Sequence, residues 1–426
     1  MSSNNMTVEE AKKAGLVITS GKDSESYKKV DKVGTSPNET VDKGGSLKMN
    51  NEIIKAPSQE KPQEKPQEKP QEKPQEKPQE KPQEKPPQKP SQEPPKPPQM
   101  KEPSIDVHKI GFRTNDIREA IENNTPIESH LHVIAVISNI CLFKKRYQLM
   151  REFMRRMEYE NNVILYIVEF AYNTQPFAIT SSKNPRHLQM RTPHAIWHKE
   201  NMINLGVRKL LPTNWKAFAW IDADIDFDNH TWALDALKVL NGSKDIVQLY
   251  SHAVDMDANE ETMNVYNSFA FQYSKGLPYS HKFPNYWHPG YAWACTRTAY
   301  EKMGVIFELG ILGASDHIMT FCFTNKGHLS VNERYHQDFK NDILAFQDRV
   351  KKLRLGYIPG VIRHFFHGSK ANRKYVERNE ILLKYNYRPS FHLTYDEQGI
   401  MIPSKNFEAD FLKEIQDYFR QRNEDE

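Results

Sequence analysis

Residues 217–227 read Ala217-Phe218-Ala219-Trp220-Ile221-Asp222-Ala223-Asp224-Ile225-Asp226-Phe227, and the fold turns on this stretch. Its apolar half reads as a buried strand, and its acidic half begins where that strand ends. On an extended strand the side-chain period is two, which predicts Asp222 and Asp224 on the same side. Two carboxylates at a strand end can hold a hard divalent cation, and such a cation neutralises a diphosphate. Acidic residues after a buried strand also serve as plain loop or cap residues, so the weight of the pair rests on its surroundings.

Working outward, His132–Ile140 is a continuous β-rich run, as expected for a strand buried on both faces. In the following stretch, 143–157, Tyr147, Met150, Phe153 and Met157 recur at helical spacing. A second strand is predicted at Val163–Phe170, a helix at His194–Leu205 before the acidic strand, a helix at Trp232–Leu240 and a strand at Ile246–Tyr250. This β-α-β-α-β order predicts the α/β class, with an open, mainly parallel, Rossmann-like sheet. Active sites of such sheets lie beyond the carboxyl ends of the strands, where Asn139, Glu169 and Asp222 stand.

The rest of the chain bounds the answer. Of its 426 residues, 59–86 are tandem Gln-Glu-Lys-Pro repeats, followed by more Pro, Gln and Lys through Pro103. A Pro at every fourth position and no large apolar side chain predict an extended spacer that cannot bury a core. Residues 1–104 are therefore read as a disordered tail, with one short helical possibility at Val8–Leu16, and 105–426 as a single catalytic domain. Every Trp and nearly all other aromatic residues follow Pro103. No signal peptide and no apolar run of about 18 residues is seen, so no transmembrane helix is expected. The three cysteines, Cys141, Cys295 and Cys322, are widely spaced in apolar contexts and read as reduced core residues of an intracellular protein. A net charge of +4 makes no case for nucleic acid by itself.

Four further constellations carry chemistry. Tyr286-Trp287-His288-Pro289-Gly290-Tyr291-Ala292-Trp293 offers rings that suit stacking on a sugar or base, or a buried cluster at a turn. Trp287, His288, Tyr291 and Trp293 are its candidate acceptor contacts, with His317 further on. Gly310–His317 is a small-residue loop handing over to a helix at His317–Phe323, with Asp316 at the start as N-cap, as general base for an acceptor hydroxyl, or as both. His364-Phe365-Phe366-His367-Gly368-Ser369-Lys370, with Arg373 close by, suits a metal–diphosphate complex: imidazole completes the coordination and cations meet phosphate. Zinc would want a third soft or imidazole ligand, and none stands at the usual spacing. Arg191 and Lys199, in a cation- and amide-rich run that ends at Asn201, are read as facing the nucleotide.

In order, LYIVEFAY, LQMRTPHAIWHKENMINLGV, AWIDADIDF, VQLYSHAVDM, WHPGYAWACTR, GASDHIM, YIPGVIRHFFHGSKANRKYVER and DYFRQRNED resemble a family of GT-A-type glycosyltransferases of bacteriophages, bacteria and large DNA viruses. The resemblance runs from about His130 onward. That family is in turn similar to the glucosyltransferase that completes base J in DNA. The resemblance implies Asp222 and Asp224 as ligands of the metal of a nucleotide-sugar, Asp316 as base, and His364 or His367 as the C-terminal metal ligand. Asn139, Arg146, Arg191, Lys199, Asn201, Asp222, Lys370 and Arg373 then belong to the donor side. One departure is Asn139-Ile140, where relatives often carry Asn-Pro.

The expected activity is transfer of a sugar from a UDP-sugar to an acceptor hydroxyl with Mn²⁺ or Mg²⁺, the acceptor being a modified DNA base or a glycan or protein. The expected location is the host cytoplasm or, for a viral protein, the virion. A nucleotidyltransferase is the alternative enzyme, but it needs a Gly-rich loop after the first strand, and residues 138–143 contain no Gly. A non-catalytic sugar-binding virion protein is the other alternative; the intact acidic and His residues argue against it.

Overall fold

A computed structural model describes residues 108–282 and 286–426. The expected tail over 1–104, with its repeats and its short helix, lies outside the described residues. In chain order the elements begin with α1 (His108–Asn123), β1 (Leu131–Ser138), α2 (Lys144–Tyr159), β2 (Val163–Tyr172), β3 (His187–Thr192) and α3 (Lys199–Leu210). The acidic stretch supplies β4 (Ala217–Ile221) and β5 (Ile225–Phe227), followed by α4 (Trp232–Val239) and β6 (Ile246–Gln248). Next come β7 (His252–Met256), β8 (Thr262–Ser268), α5 (Phe269–Ser274), β9 (Trp287–His288) and β10 (Ala292–Thr296). The remainder is α6 (Arg297–Met303), α7 (Ser315–Phe323), α8 (Gln337–Val350), β11 (Leu355–Tyr357), β12 (Val361–His364), α9 (Asn379–Lys384), α10 (Pro389–His392), β13 (Leu393–Tyr395), β14 (Met401–Pro403) and α11 (Ala409–Gln421).

The α/β class with an open, mainly parallel sheet is what the sequence predicts. Seven strands run in the order β11-β6-β10-β4-β1-β2-β3, and within them β4, β1, β2 and β3 are mutually parallel. Their side chains are apolar on both faces because helices cover both: α2 buries Leu149, Met150, Phe153 and Met157, the face its spacing predicts. Helix α3 begins at Lys199 and not at His194, since residues 193–198 form a connecting loop after β3 in which the Trp197 N–H donates to the Ile311 carbonyl at 3.2 Å.

A second sheet, β5-β12-β7-β8-β9, is absent from the sequence reading. The apolar run 357–362 reads as one strand, but Pro359-Gly360 breaks it. Its first part, β11, extends the large sheet beside β6, and β12 crosses into the small one. The large sheet therefore hands three chain segments to the small sheet at its carboxyl edge, and the site forms at that crossing. No helix of the described residues is long and apolar enough to cross a membrane.

Helix α3 lies very close to the large sheet at Gly206, where a Cβ would meet Ile134 Cγ2 at 3.0 Å and Val168 Cγ2 at 3.1 Å. Gly206→Val should therefore lower stability by about 1–3 kcal/mol through overpacking, read as a lower urea midpoint at an unchanged slope. An unchanged midpoint would mean that α3 is free to shift.

Candidate active site

Strand β4 ends at Ile221 in the large sheet and β5 starts at Ile225 in the small one, so Asp222-Ala223-Asp224 is the crossing between them. This corrects the expectation of strand alternation: the two carboxylates sit on a turn and face different partners. The turn is pinned by its backbone. The Asp222 N–H donates to the Tyr291 carbonyl at 2.8 Å, and the Phe365 N–H donates to the Asp224 carbonyl at 2.8 Å.

Asp224 faces two imidazoles. Its Oδ2 lies 2.8 Å from His367 Nε2 and 3.7 Å from His364 Nε2. One ligand atom from each of these three residues falls within 4.8 Å of the others. The second oxygen, Oδ1, is buried without a hydrogen-bond partner. Behind the rings stand further carboxylates. The parallel β7–β12 register sets Asp255 beside His364, with Oδ1 2.6 Å from Nδ1. Glu424 Oε2 lies 3.7 Å from His367 Nδ1. The Asp255 carboxylate accepts the Nδ1–H of His364 and turns Nε2 of that ring toward Asp224. At His367 the Arg373 guanidinium stands over the ring edge, with Nη2 2.6 Å from Nε2 and 3.1 Å from Nδ1. An orphaned buried oxygen and two converging imidazole nitrogens fit a divalent cation.

The charges are mutually supported. Burial alone would raise the Asp224 carboxyl, but His367 and His364 outweigh it and hold it well below its ordinary value. Burial likewise opposes ionisation of Asp255, yet its bond from His364 and the nearby Lys370 bring it down to about 2. Lys370 pairs with Asp255 and donates to the Tyr266 hydroxyl at 2.9 Å. The two cations expected at phosphate, Lys370 and Arg373, are thus gathered around the same cluster.

Asp222 turns the other way, to Lys199 at the start of α3, with Oδ1 2.6 Å from Nζ. The same Nζ lies 3.4 Å from Asp316 Oδ2. Lys199, expected at the nucleotide, instead ties the acidic turn to Asp316. Its own pKa is raised: burial disfavours the charge, but Asp222 and Asp316 outweigh it. Asp222 is pushed up to about 6 by burial, against the pull of Lys199. Helix α7 begins at Ser315 and its N-cap is Ala314, at φ +75° with no side-chain cap bond. Asp316 sits in the first turn and not at the cap, which frees its carboxylate for the cleft. Opposite it, a Cβ on Gly290 would lie 3.4 Å from Asp316 Oδ2, so the glycine leaves room in front of the carboxylate.

The aromatic run divides into two roles. Trp293 belongs to β10, an internal strand antiparallel to β4 and β6, and it stacks on Trp220 with its indole N–H donating to the Pro289 carbonyl at 2.9 Å. Trp287 is buried edge-on against Phe269 and Tyr279. Both indoles are core, which corrects the expectation of an acceptor surface: Trp293 lies on an interior strand, and Trp287, on the edge strand β9, packs into an aromatic cluster with Phe269 and Phe321. His288 and Tyr291 do reach the site. Their rings stack at 4.0 Å, and Tyr291 lies 4.8 Å from His364. Tyr291 has φ +77°, a costly value for a bulky side chain, held where its carbonyl receives Asp222. His317 packs edge-on to Phe321 at 4.7 Å, and burial lowers its pKa to about 4.

On the donor side, Asn139 closes its own loop, donating to the Phe143 carbonyl at 2.8 Å and accepting the Phe143 N–H at 2.9 Å. That clamp holds the turn without a proline after Asn139. Arg146 donates to the Ser138 carbonyl at 2.8 Å and pairs with Glu424. A small cleft at the end of β1 is lined by Ser138, Asn139, Arg146, Trp197 and Arg422. Arg191 lies apart, donating to the carbonyls of Asn173 and Gln175 over the Phe177 ring. Asn201 is fully buried, with its amide engaged by Glu308, Gly399 and Met401. Burial takes it out of reach of a nucleotide.

Asp255, Glu424, Tyr266 and Glu200 complete the surroundings and are not picked out by the sequence. Asp255 and Glu424 stand in motifs that carry the resemblance, but nothing local marks them as partners of His364 and His367. Glu200, beside Lys199, accepts the Trp197 indole N–H at 3.0 Å and is pushed up to about 8 by burial.

No family model matches the chain, and no curated protein matches it. Solved structures that it resembles include a nucleotide-diphospho-sugar transferase of Desulfovibrio desulfuricans, at 11% identity and TM-score 0.27, over 69% of this chain and 99% of that one. Another is the catalytic domain of Drosophila β1,4-galactosyltransferase 7 with xylobiose, at 10% identity and TM-score 0.31, over 65% and 93%. A mutant of that enzyme with manganese, UDP-Gal and xylobiose gives 11% identity and TM-score 0.31 over the same shares. Likenesses at these scores leave the assignment of function to the residues of the site.

Proposed function

We propose that this chain is a metal-dependent glycosyltransferase of the GT-A type, moving a sugar from a UDP-sugar to an acceptor hydroxyl. The observation that carries the reading is the convergence of Asp224, His364 and His367, with a carboxylate near each imidazole, on a turn whose other carboxylate, Asp222, is tied through Lys199 to Asp316. Two imidazoles with one carboxylate favour Mn²⁺ over Mg²⁺, which prefers oxygen ligands and keeps its water. When bound, the cation neutralises the charge that develops on the departing diphosphate.

The chain's own residues do the rest. In this reading the nucleoside lies against the carboxyl end of β1, and Lys370 and Arg373 stand where the phosphates meet the cluster. Asp316 accepts the acceptor's proton as its oxygen bonds to the anomeric carbon. The bond from that carbon to the phosphate oxygen breaks, and the electron pair leaves with UDP. Lys199 bridges Asp316 and Asp222 and holds them at a fixed separation. Gly290 leaves space for the acceptor.

The acceptor in this reading is a glycan or protein hydroxyl. A base flipped from duplex DNA needs a groove of free cations along the phosphates. Here Lys370 and Arg373 are committed to the donor phosphates, and Arg378 to the Tyr418 hydroxyl. UDP release from a panel of UDP-sugars, with and without Mn²⁺, tests the activity: one donor should respond and the response should vanish with chelator. No metal-dependent release from any nucleotide-sugar overturns it. A gel-shift titration against hydroxymethyluracil DNA across a salt series should show no specific complex, and sugar appearing in that DNA would reverse the acceptor assignment.

A further inference from the structure

The segment that follows α11 returns to the metal cluster from a sequence distance of more than fifty residues. Glu424 is almost fully buried, at 1% exposure, in a place where an unpaired carboxylate would be costly. It pairs with Arg146 and, at 2.8 Å, with Arg422, and its Oε2 faces His367 Nδ1. The neighbours on either side fix the path. Arg422 lies over the Trp197 ring at 5.2 Å. Asn423 passes the His-x-x-His-Gly turn so closely that a Cβ on Gly368, at φ +84°, would meet its carbonyl oxygen at 2.8 Å. Asp425 accepts the backbone N–H groups of Lys144 and Lys145, at 3.0 and 2.8 Å, at the start of α2. The segment is thus tied at Trp197, at Gly368 and at α2, with one carboxylate aimed at an imidazole in between.

We propose that residues 422–425 are a built part of the metal centre, and that Glu424 is the positioning residue that fixes the tautomer and aim of the His367 ring. The proposal rests on the metal-dependent reading above and adds to it a component that no ligand motif marks. Glu424 Oε2 approaches His367 Nδ1 at 3.7 Å, a looser contact than the 2.6 Å bond between Asp255 and His364, and from a separate part of the chain. Arg146 and Arg422 pair with this buried carboxylate from two sides and fix its place inside the protein.

The test uses the full chain and two probes, Mn²⁺ followed by its free-ion EPR signal and Co²⁺ followed by its visible absorption. Glu424→Gln should raise the Mn²⁺ Kd by about 10- to 100-fold and change the Co²⁺ spectrum, while Glu424→Asp restores part of both. Glu424→Gln with wild-type Kd and spectrum overturns the proposal, even if its thermal midpoint falls. Should Glu424→Gln not fold, Asp425→Ala decides. That carboxylate only anchors the segment on exposed backbone, and its loss should weaken Mn²⁺ by about tenfold; unchanged Mn²⁺ binding in folded Asp425→Ala overturns the proposal. Wild-type protein that binds Mn²⁺ yet transfers no sugar would sink the proposed function and leave the Glu424 assignment intact.

Discussion

Asp224→Asn is expected to abolish both sugar transfer and donor hydrolysis, by about a thousandfold or more, in a protein that still folds. The carboxylate is the single anionic member of the ligand triad, and its Oδ1 has no other bond to keep. A Lewis-acid cation contributes several kcal/mol to a transition state that releases diphosphate. At 1.36 kcal/mol per factor of ten, its loss is three decades or more in kcat/KM. Asn keeps the shape and the backbone link to Phe365, so circular dichroism should be unchanged. Asp226→Asn is the control. Asp226 belongs to the same acidic run but faces Arg156 at 3.5 Å near the surface, so its exchange should alter rates by no more than about twofold. Equal losses at both positions would mean that the metal pair has been misplaced.

Asp316→Asn is expected to remove transfer while keeping the donor. A positioned general base contributes about 10²- to 10⁴-fold, so kcat should fall by that factor. UDP-sugar affinity should stay within about threefold, because the side chain contacts Lys199 and the open space before Gly290 and no member of the triad. The variant keeps a folded site because Lys199 retains Asp222 at 2.6 Å. Isothermal titration with UDP and Mn²⁺ separates the two parameters. If donor affinity collapses with kcat, Asp316 is a donor contact and the acceptor has another base.

In the large sheet β1, β2 and β4 were legible because they are continuous apolar runs, whereas β3, which follows β2 with no helix between, and the antiparallel β10 were not. The acidic turn was legible for the same reason: Ala217–Ile221 is unmistakably buried, and whatever follows it must emerge at the carboxyl edge. The pairing of Asp224 with both histidines was within reach, since the His-x-x-His-Gly run has few plainer explanations. The small sheet was not legible. Its strand β5 has three residues and β9 two, too short for any periodicity to register. Without that sheet, nothing in the sequence says that Asp255 lies beside His364, a contact made by parallel register across 109 positions. Glu424 is harder still, since its partner Arg146 is 278 positions away and the residue looks like one more charge in a polar run. Trp287 and Trp293 misled for a different cause. Rings around a Gly-Pro pair suit both a sugar platform and a buried cluster, and tertiary packing decides: β10 inserts between β4 and β6, and Trp287 meets Phe269 and Tyr279. Lys199 shows the same ambiguity for charge, as a cation near an acidic turn serves a phosphate or a carboxylate equally well.

The central claim is that Asp224, His364 and His367 hold one divalent cation at the donor diphosphate. The most direct measurement is anomalous diffraction at the manganese edge from crystals grown with Mn²⁺ and UDP. The account predicts a single strong peak about 2.2 Å from one Asp224 carboxylate oxygen and from Nε2 of both histidines, with UDP phosphate oxygens completing the shell. A manganese peak elsewhere with the triad unoccupied, or UDP bound with no metal between it and Asp224, would contradict it.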